Sequence, residues 1–287
     1  MADGLRALWD FDDPDSTEER LRAQLARETD DAARAEVLTQ LARVEGLRDE
    51  FDAGERLIQE AATVAGDSAT ARARLDLERG RLRRSSGDAE AALPLFESAF
   101  AIAREAGASF IAADAAHMAA LAAPDPAGFV AWTKRGVELA ESDDDARSWL
   151  GPLLNNLGWN YYDAGDFEPA LDAFEQALRA REQDPDNRQA QEIARYAVGK
   201  ALRALGRSDA AVPLLEQAVT WADGVGAPDG WFHEELAQEY AALGHDGDAR
   251  RQARLAVPLL LEADPSFTED GERVARLRSL AGAAGGA

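Results

Sequence analysis

The chain has 287 residues, a formal net charge of −23 and no cysteine. That charge excludes general nucleic-acid binding, which needs a basic surface to displace counterions, and the lack of cysteine excludes disulfides, thiolate metal sites and a cysteine nucleophile. Apolar residues make up 46% but aromatic ones only 7%, so alanine and leucine dominate, as suits closely packed helices.

No apolar run approaches the roughly 20 residues that cross a bilayer. The acidic start, MADGLRALWDFDDPD, lacks the apolar centre of a secretory signal. The expectation is therefore a cytoplasmic protein with no membrane partner. Leu8, Trp9 and Phe11 make the segment ending at Pro14 too apolar for a free tail, so at least one of the two rings should be buried against the first helices. Ser16-Thr17-Glu18-Glu19 has the form of a capping box and predicts a helix running to about Glu28.

From residue 35 to 262 the chain reads as helical hairpins, with turns expected near Asp49, Gly87, Pro124, Gly165, Gly206 and Gly244. The first hairpin sets Leu38, Leu41 and Ala42 against Gly54, Ile58 and Ala61. In the second, Gly80 faces Ala92, Phe96 and Ala99 across Gly87 and Asp88. Arg79 and Arg83 there stand where the fourth hairpin has Leu157 and Tyr161; either they pair with buried acids or the helix is rotated. The third, from Ala108 to about Ala140, keeps two helices around Pro124-Asp125-Pro126 but loses the alternation of small and large positions.

The fourth hairpin is the clearest. Leu154, Leu157, Gly158 and Tyr161 share one helical face, Gly165 and Asp166 break the helix, and Ala170, Phe174 and Ala177 rebuild an apolar face. The fifth repeats it with Gly199, Ala211, Leu215 and Ala218, and the sixth with Leu236, Ala237, Tyr240, Ala249 and Ala256. Pro94 and Pro213 sit equally far beyond their turns, which supports the alignment. Phe267 to Leu280 reads as a final helix that solvates the end of the array, and the AGAAGGA tail as disordered.

This pattern of small and large positions resembles the tetratricopeptide repeat, W-x2-L-G-x2-Y…A-x3-F, with Leu154 in place of the tryptophan. The spacing of the turns, roughly 40 residues, exceeds the roughly 34 of the minimal repeat. The resemblance implies an all-α fold, a right-handed α-solenoid of about six hairpins over residues 35–262, flanked by capping segments at 1–34 and 263–287. It further implies a scaffold that binds a protein or peptide, with no enzymatic activity and no cofactor.

In such proteins the first helix of each hairpin lines a concave groove. Carried onto this chain, that places Asn155, Asn156, Trp159, Tyr162 and Asp163 toward a ligand. An asparagine at the place of Asn156 commonly bonds the backbone of an extended peptide, since an amide both donates and accepts. The same mapping puts Arg43, Arg74, Arg81, Arg84, Lys200 and Arg203 at groove positions. Guanidinium groups grip carboxylates bidentately, so the implied ligand is an acidic or C-terminal peptide and the groove is expected to be locally positive. The alternative is internal pairing of these cations with Glu78, Asp114 or Asp163, while Glu234 and Glu235 make the sixth hairpin acidic.

Two further functional readings stand beside the scaffold: a regulatory sensor of a small anionic ligand or signalling peptide, and self-association as a homo-oligomer through Trp9, Trp221 and Trp231. His117, His233 and His245 form no ligand-spaced motif, and Asp143-Asp144-Asp145 lacks the oxygen spacing of a calcium loop. No P-loop, HExxH or GxSxG motif occurs. Neither a metal site nor a catalytic residue is expected.

Overall fold

A glycine at a helix end accepts the left-handed backbone that turns a chain back on itself. In the computed structural model, which describes residues 4–282, Gly87, Gly165, Gly206 and Gly244 have φ between 69° and 95°, and Asp49 takes the same conformation at 61°. Each of these turns closes with the same pair of backbone bonds. At the fourth, Asp166 N–H donates to Tyr161 O (2.9 Å) and Gly165 N–H to Tyr162 O (3.0 Å). The third turn is different: Ala123 is extended, and Asp125 caps the next helix by accepting from Gly128 N–H at 2.7 Å, with Pro126 in its first turn. Asp88 caps in the same way through Ala91 N–H (3.1 Å), whereas Asp166 makes no side-chain cap.

These turns close six hairpins. A 3₁₀ turn (Arg6–Leu8) and α1 (Pro14–Arg27) come first. The hairpins are α2 (Asp31–Leu47) with α3 (Phe51–Val64), α4 (Ala69–Ser85) with α5 (Ala89–Glu105), and α6 (Ser109–Ala122) with α7 (Pro126–Ser142). After a second 3₁₀ turn, Arg147–Trp149, they continue as α8 (Leu150–Asp163) with α9 (Phe167–Arg181), α10 (Arg188–Ala204) with α11 (Ser208–Gly224), and α12 (Gly230–Ala242) with α13 (Asp246–Ala263). A third 3₁₀ turn, Pro265–Glu269, leads into α14 (Gly271–Leu280). No strand occurs among the described residues, and none of their helices is long and apolar enough to cross a membrane. Packing divides the chain into two compact units, Met1–Leu153 and Leu154–Ala287, with the division in the first turns of α8.

Inside each unit a small residue on one helix receives a large one from the next. A β-carbon on Gly80 would lie 2.5 Å from the ring of Phe96, one on Gly158 2.4 Å from Phe174, and one on Gly199 2.7 Å from Leu215. All three large side chains are fully buried. The third hairpin reverses the arrangement, which is why its pattern is faint. There α6 is alanine-rich and buried almost all round, and the close approach falls on Gly136 of α7, against Leu153 and Ala116. α5 and α11 run unbroken through Pro94 and Pro213. Arg79 pairs with Glu55 of α3 at 3.1 Å, while Arg83 is exposed.

Both ends depart from expectation in detail. The cap of α1 is Asp13, accepting from Ser16 N–H at 3.0 Å with Pro14 in the first turn. Proline is pre-organised for that position, so the helix starts earlier than the capping-box reading at Ser16 allows. The hydroxyl of Thr17 instead bonds both the N–H and the carbonyl of Asp10, each at 2.9 Å. At the other end Phe267, Val274 and Leu277 are buried against α13. Of the tail read as disordered, residues 283–287 lie outside the described ones.

The Gly158–Phe174 contact yields the first prediction. Gly158→Leu should destabilise the protein by about 1–3 kcal/mol through overpacking, measured by urea unfolding. Combined with Phe174→Leu, the pair should cost less than the two changes summed, since they share one space.

Candidate functional site

In unit 2 the first helices of the hairpins bring their side chains to one face. On α10, Tyr196, Lys200 and Arg203 fall on the same side because they are spaced by four and three residues. Trp159 and Tyr162 on α8, Trp231 and Gln238 on α12, and Arg273 on α14 complete the walls of a cavity of about 570 Å³. Among them Trp159 packs against neighbouring rings, with centroids 5.6 Å from Tyr162, 6.5 Å from Tyr196 and 5.0 Å from Phe174. Tyr196 in turn packs on Phe232 at 4.9 Å.

Three of the cations that line this cavity are paired with carboxylates, and Arg276 and Asp163 line it as well. Lys200 Nζ lies 2.9 Å from Glu235, and Arg203 bonds the other oxygen of the same carboxylate, which is 1% exposed. Arg273 of α14 bonds Glu234 through Nε at 2.8 Å. The Lys200 ammonium also sits over the rings of Tyr162 (5.8 Å) and Tyr196 (5.7 Å). Burial, reinforced by Glu235, pushes both phenols above their ordinary range, so they remain neutral. Burial works against the Arg203 cation, but Glu235 outweighs it and raises the guanidinium pKa.

The cations of unit 1 are also engaged. Arg81 bonds Asp114 and lies 3.3 Å from Glu78. Arg74 is buried and pairs with Glu36 at 3.0 Å. Arg84 donates to the carbonyl of Leu121 (3.4 Å), and Arg43 stacks over the rings of Trp9 (5.0 Å) and Phe11 (5.2 Å). Burial opposes the charge of Asp114, yet Arg81 and Arg43 hold its carboxyl below the usual range. His117 stacks on Trp149 at 5.3 Å, and burial lowers its pKa so that the neutral imidazole is favoured. His233 is buried between Gln252 (2.6 Å) and Asp223 (3.2 Å), while His245 is exposed in its turn.

The internal pairing weighed as the alternative is thus what Arg81, Lys200 and Arg203 adopt. Arg81, Lys200 and Arg203 point to carboxylates on the neighbouring first helix, because a buried acid must be neutralised by a partner or lose its charge. Glu234 and Glu235 are the counter-ions of the cavity and do not form a separate acidic end. Of the ten residues singled out from the sequence, Trp159, Tyr162, Lys200 and Arg203 share the unit 2 cavity, and Arg43 and Arg74 border a smaller one in unit 1. Asn155 and Asn156 are half-buried on α8 and do not line the unit 2 cavity. Trp9, Trp221 and Trp231, read as self-association surfaces, are each half-buried within their own unit.

Sequence reasoning missed Tyr196, Trp231 and Arg273. Tyr196 had a signal, since it lies one turn before Lys200; Arg273, on the terminal helix, had none. Among the described residues no group of three or more His, Asp or Glu side chains is placed to hold a metal ion.

Family models of the tetratricopeptide repeat match residues 151–184 and 193–224, the α8–α9 and α10–α11 hairpins. No curated protein sequence matches the chain. Among solved structures, the apo form of RapI is similar with a TM-score of 0.72 at 11% identity, over 97% of this chain and 80% of that one. A signal transduction ATPase with a tetratricopeptide repeat sensor from Pyrococcus horikoshii gives 0.70 at 14% identity, over 87% of this chain. The match spans only 40% of that protein's length. NprR in complex with its cognate peptide NprX gives 0.53 at 17%, over 96% of this chain and 81% of that one. At these identities the likeness is one of fold.

Two predictions follow from the pairing. Replacing both Lys200 and Arg203 by alanine should cost about 3–5 kcal/mol, because Glu235 is left buried and unpaired; adding Glu235→Gln should recover part of the loss in urea melts. Asp114 has a folded pKa below its unfolded one, so its contribution is present at neutral pH and fades as pH falls through the acid range. Asp114→Asn should therefore lower Tm at pH 7 and narrow the gap to the parent as the melt is moved to acid.

Proposed function

We propose that this chain, a tetratricopeptide-repeat protein, binds an extended peptide on the first-helix face of unit 2, with Trp159, Tyr162, Tyr196 and Trp231 as its anchor surface. The observation that carries the reading is the cavity of about 570 Å³, lined only by first helices and α14. Trp159, Tyr162 and Trp231 are half-buried and Tyr196 backs them from a buried position; aromatic rings held by neighbours offer contact area at little entropic cost. The peptide in the NprR complex supports the reading by likeness of fold.

The paired charges refine the ligand. Lys200 has three donors and Arg203 five, and Glu235 engages only part of them. The spare N–H groups, beside two neutral phenols, suit a carboxylate: an acidic side chain or a peptide C-terminus. Because Lys200, Arg203 and Arg273 are already paired, affinity rests more on the rings than on net charge, and its salt dependence should be shallow. Asn155 precedes Trp159 by one helical turn and extends the same face, where an amide can hold peptide backbone; Asn156 is placed beside it in the same role. Arg43, Arg74, Arg81 and Arg84 take no part in this site, since each has a structural partner of its own. Binding of this kind uses no cofactor and no catalytic step.

Display selection of random peptides on the full chain tests the proposal. Peptides recovered should lose about tenfold or more in affinity toward Trp159→Ala, while Phe11→Ala, in unit 1, leaves them unchanged. Selected peptides that ignore Trp159→Ala and Trp231→Ala alike would overturn it.

A further inference from the structure

The first-helix face of unit 1, formed by α2, α4 and α6, is covered by the chain's own residues 5–13. The segment crosses from one side of the face to the other. Over α2, the Trp9 indole N–H donates to Gln40 Oε1 at 2.9 Å, and Phe11 stacks on Trp9 at 5.0 Å. Over α6, the Arg6 guanidinium lies 3.7 Å from the centre of the Phe110 ring and donates to Ser148 Oγ at 3.2 Å. Its return into α1 is held by Arg20 Nε, which donates to Leu8 O at 2.9 Å, and by Thr17 on Asp10.

Two features distinguish this segment from a core element. Cavities of about 330 and 770 Å³ border it, so it rests on the face without filling it. Its largest side chains are half-buried or, for Phe11, 60% exposed. The contacts are those of a docked peptide: one tryptophan read by a buried amide (Gln40 is 3% exposed), one arginine on a ring, and an extended backbone at Trp9 between them.

We propose that the unit 1 face is a second peptide-binding surface, that residues 5–13 are its intramolecular occupant, and that its external partner is a peptide carrying an arginine followed three residues later by a tryptophan. Gln40 selects tryptophan over phenylalanine because its buried carbonyl needs an N–H donor. The Phe110 ring selects a guanidinium by cation–π stacking. A tethered occupant competes at high effective concentration, so the outside peptide binds only to the fraction of molecules in which the segment has lifted. This surface is independent of the one assigned in unit 2, and either stands if the other falls.

The probe is a labelled peptide of residues 4–14, GLRALWDFDDP, added in trans to the full chain and followed by fluorescence anisotropy. The Arg6→Ala/Trp9→Ala chain should bind it at least about tenfold more tightly than the parent, whose own segment competes. Adding Gln40→Leu to that variant should return binding to the parent level or below. In the parent, millimolar unlabelled peptide should reduce the hydrogen-exchange protection of the Trp9 indole N–H, a readout that does not depend on how the variants fold. Equal binding by parent and variant, no binding by either at millimolar peptide, or Trp9 protection unmoved by excess peptide would overturn the proposal.

Discussion

A glycine against a ring sets the spacing on which this protein depends. Gly158 leaves no room for a β-carbon beside Phe174, and Gly80 and Gly199 do the same for Phe96 and Leu215. Each contact fixes how closely the two helices of a hairpin approach, and thereby which side of the first helix stays outside the core. The effect reaches the candidate site directly. Phe174, whose ring covers Gly158, also carries Trp159 at 5.0 Å, so one side chain joins the helix packing to a ring of the cavity wall. Protein interiors are dense enough that such a shared contact transmits a small shift to the site.

Ion pairs form a second layer of order, and they run from one first helix to the next within each unit. Arg74 of α4 meets Glu36 of α2, and Arg81 of α4 meets Asp114 of α6. Lys200 and Arg203 of α10 meet Glu235 of α12, and Arg273 of α14 meets Glu234 of α12. Several of the acids are almost wholly buried. Such pairs repay little of their desolvation cost in net stability, but breaking one is expensive. Their value lies in register: a first helix displaced by a turn would leave its carboxylate unmatched. The consequence for recognition is that a chain of strong negative charge presents faces rich in cations, most of them held by carboxylates of the same unit.

The two units treat equivalent faces differently. In unit 2 the aromatic cavity is open, and in unit 1 residues 5–13 lie over the face with Trp9 on Gln40. The same physical devices serve both: a ring held by neighbours, an amide or phenol that donates or accepts in a half-dry setting, and a cation spread over an aromatic surface. A repeat fold can reuse one surface chemistry along its length and vary only what occupies it.

The six hairpins, their turns and the small-to-large contacts of the second, fourth and fifth were legible in the sequence, because they follow from local rules. A glycine turn, a helical period and a missing β-carbon act within a few residues of one another. The third hairpin was harder to read because its close approach had moved to Gly136, on the other helix. Trp159, Tyr162, Lys200 and Arg203 could likewise be placed on one face once the repeat resemblance was carried onto the first helices. Only the tertiary structure decided what those cations meet, since Glu235 lies on another hairpin and the pairing depends on how neighbouring first helices slide past each other. The same holds for the cap at Asp13, for Arg273 closing the cavity from the terminal helix, and for the chain's own start lying across unit 1. Each is a contact between residues whose relative position no local periodicity determines, and burial of charge makes the tertiary partner the deciding fact.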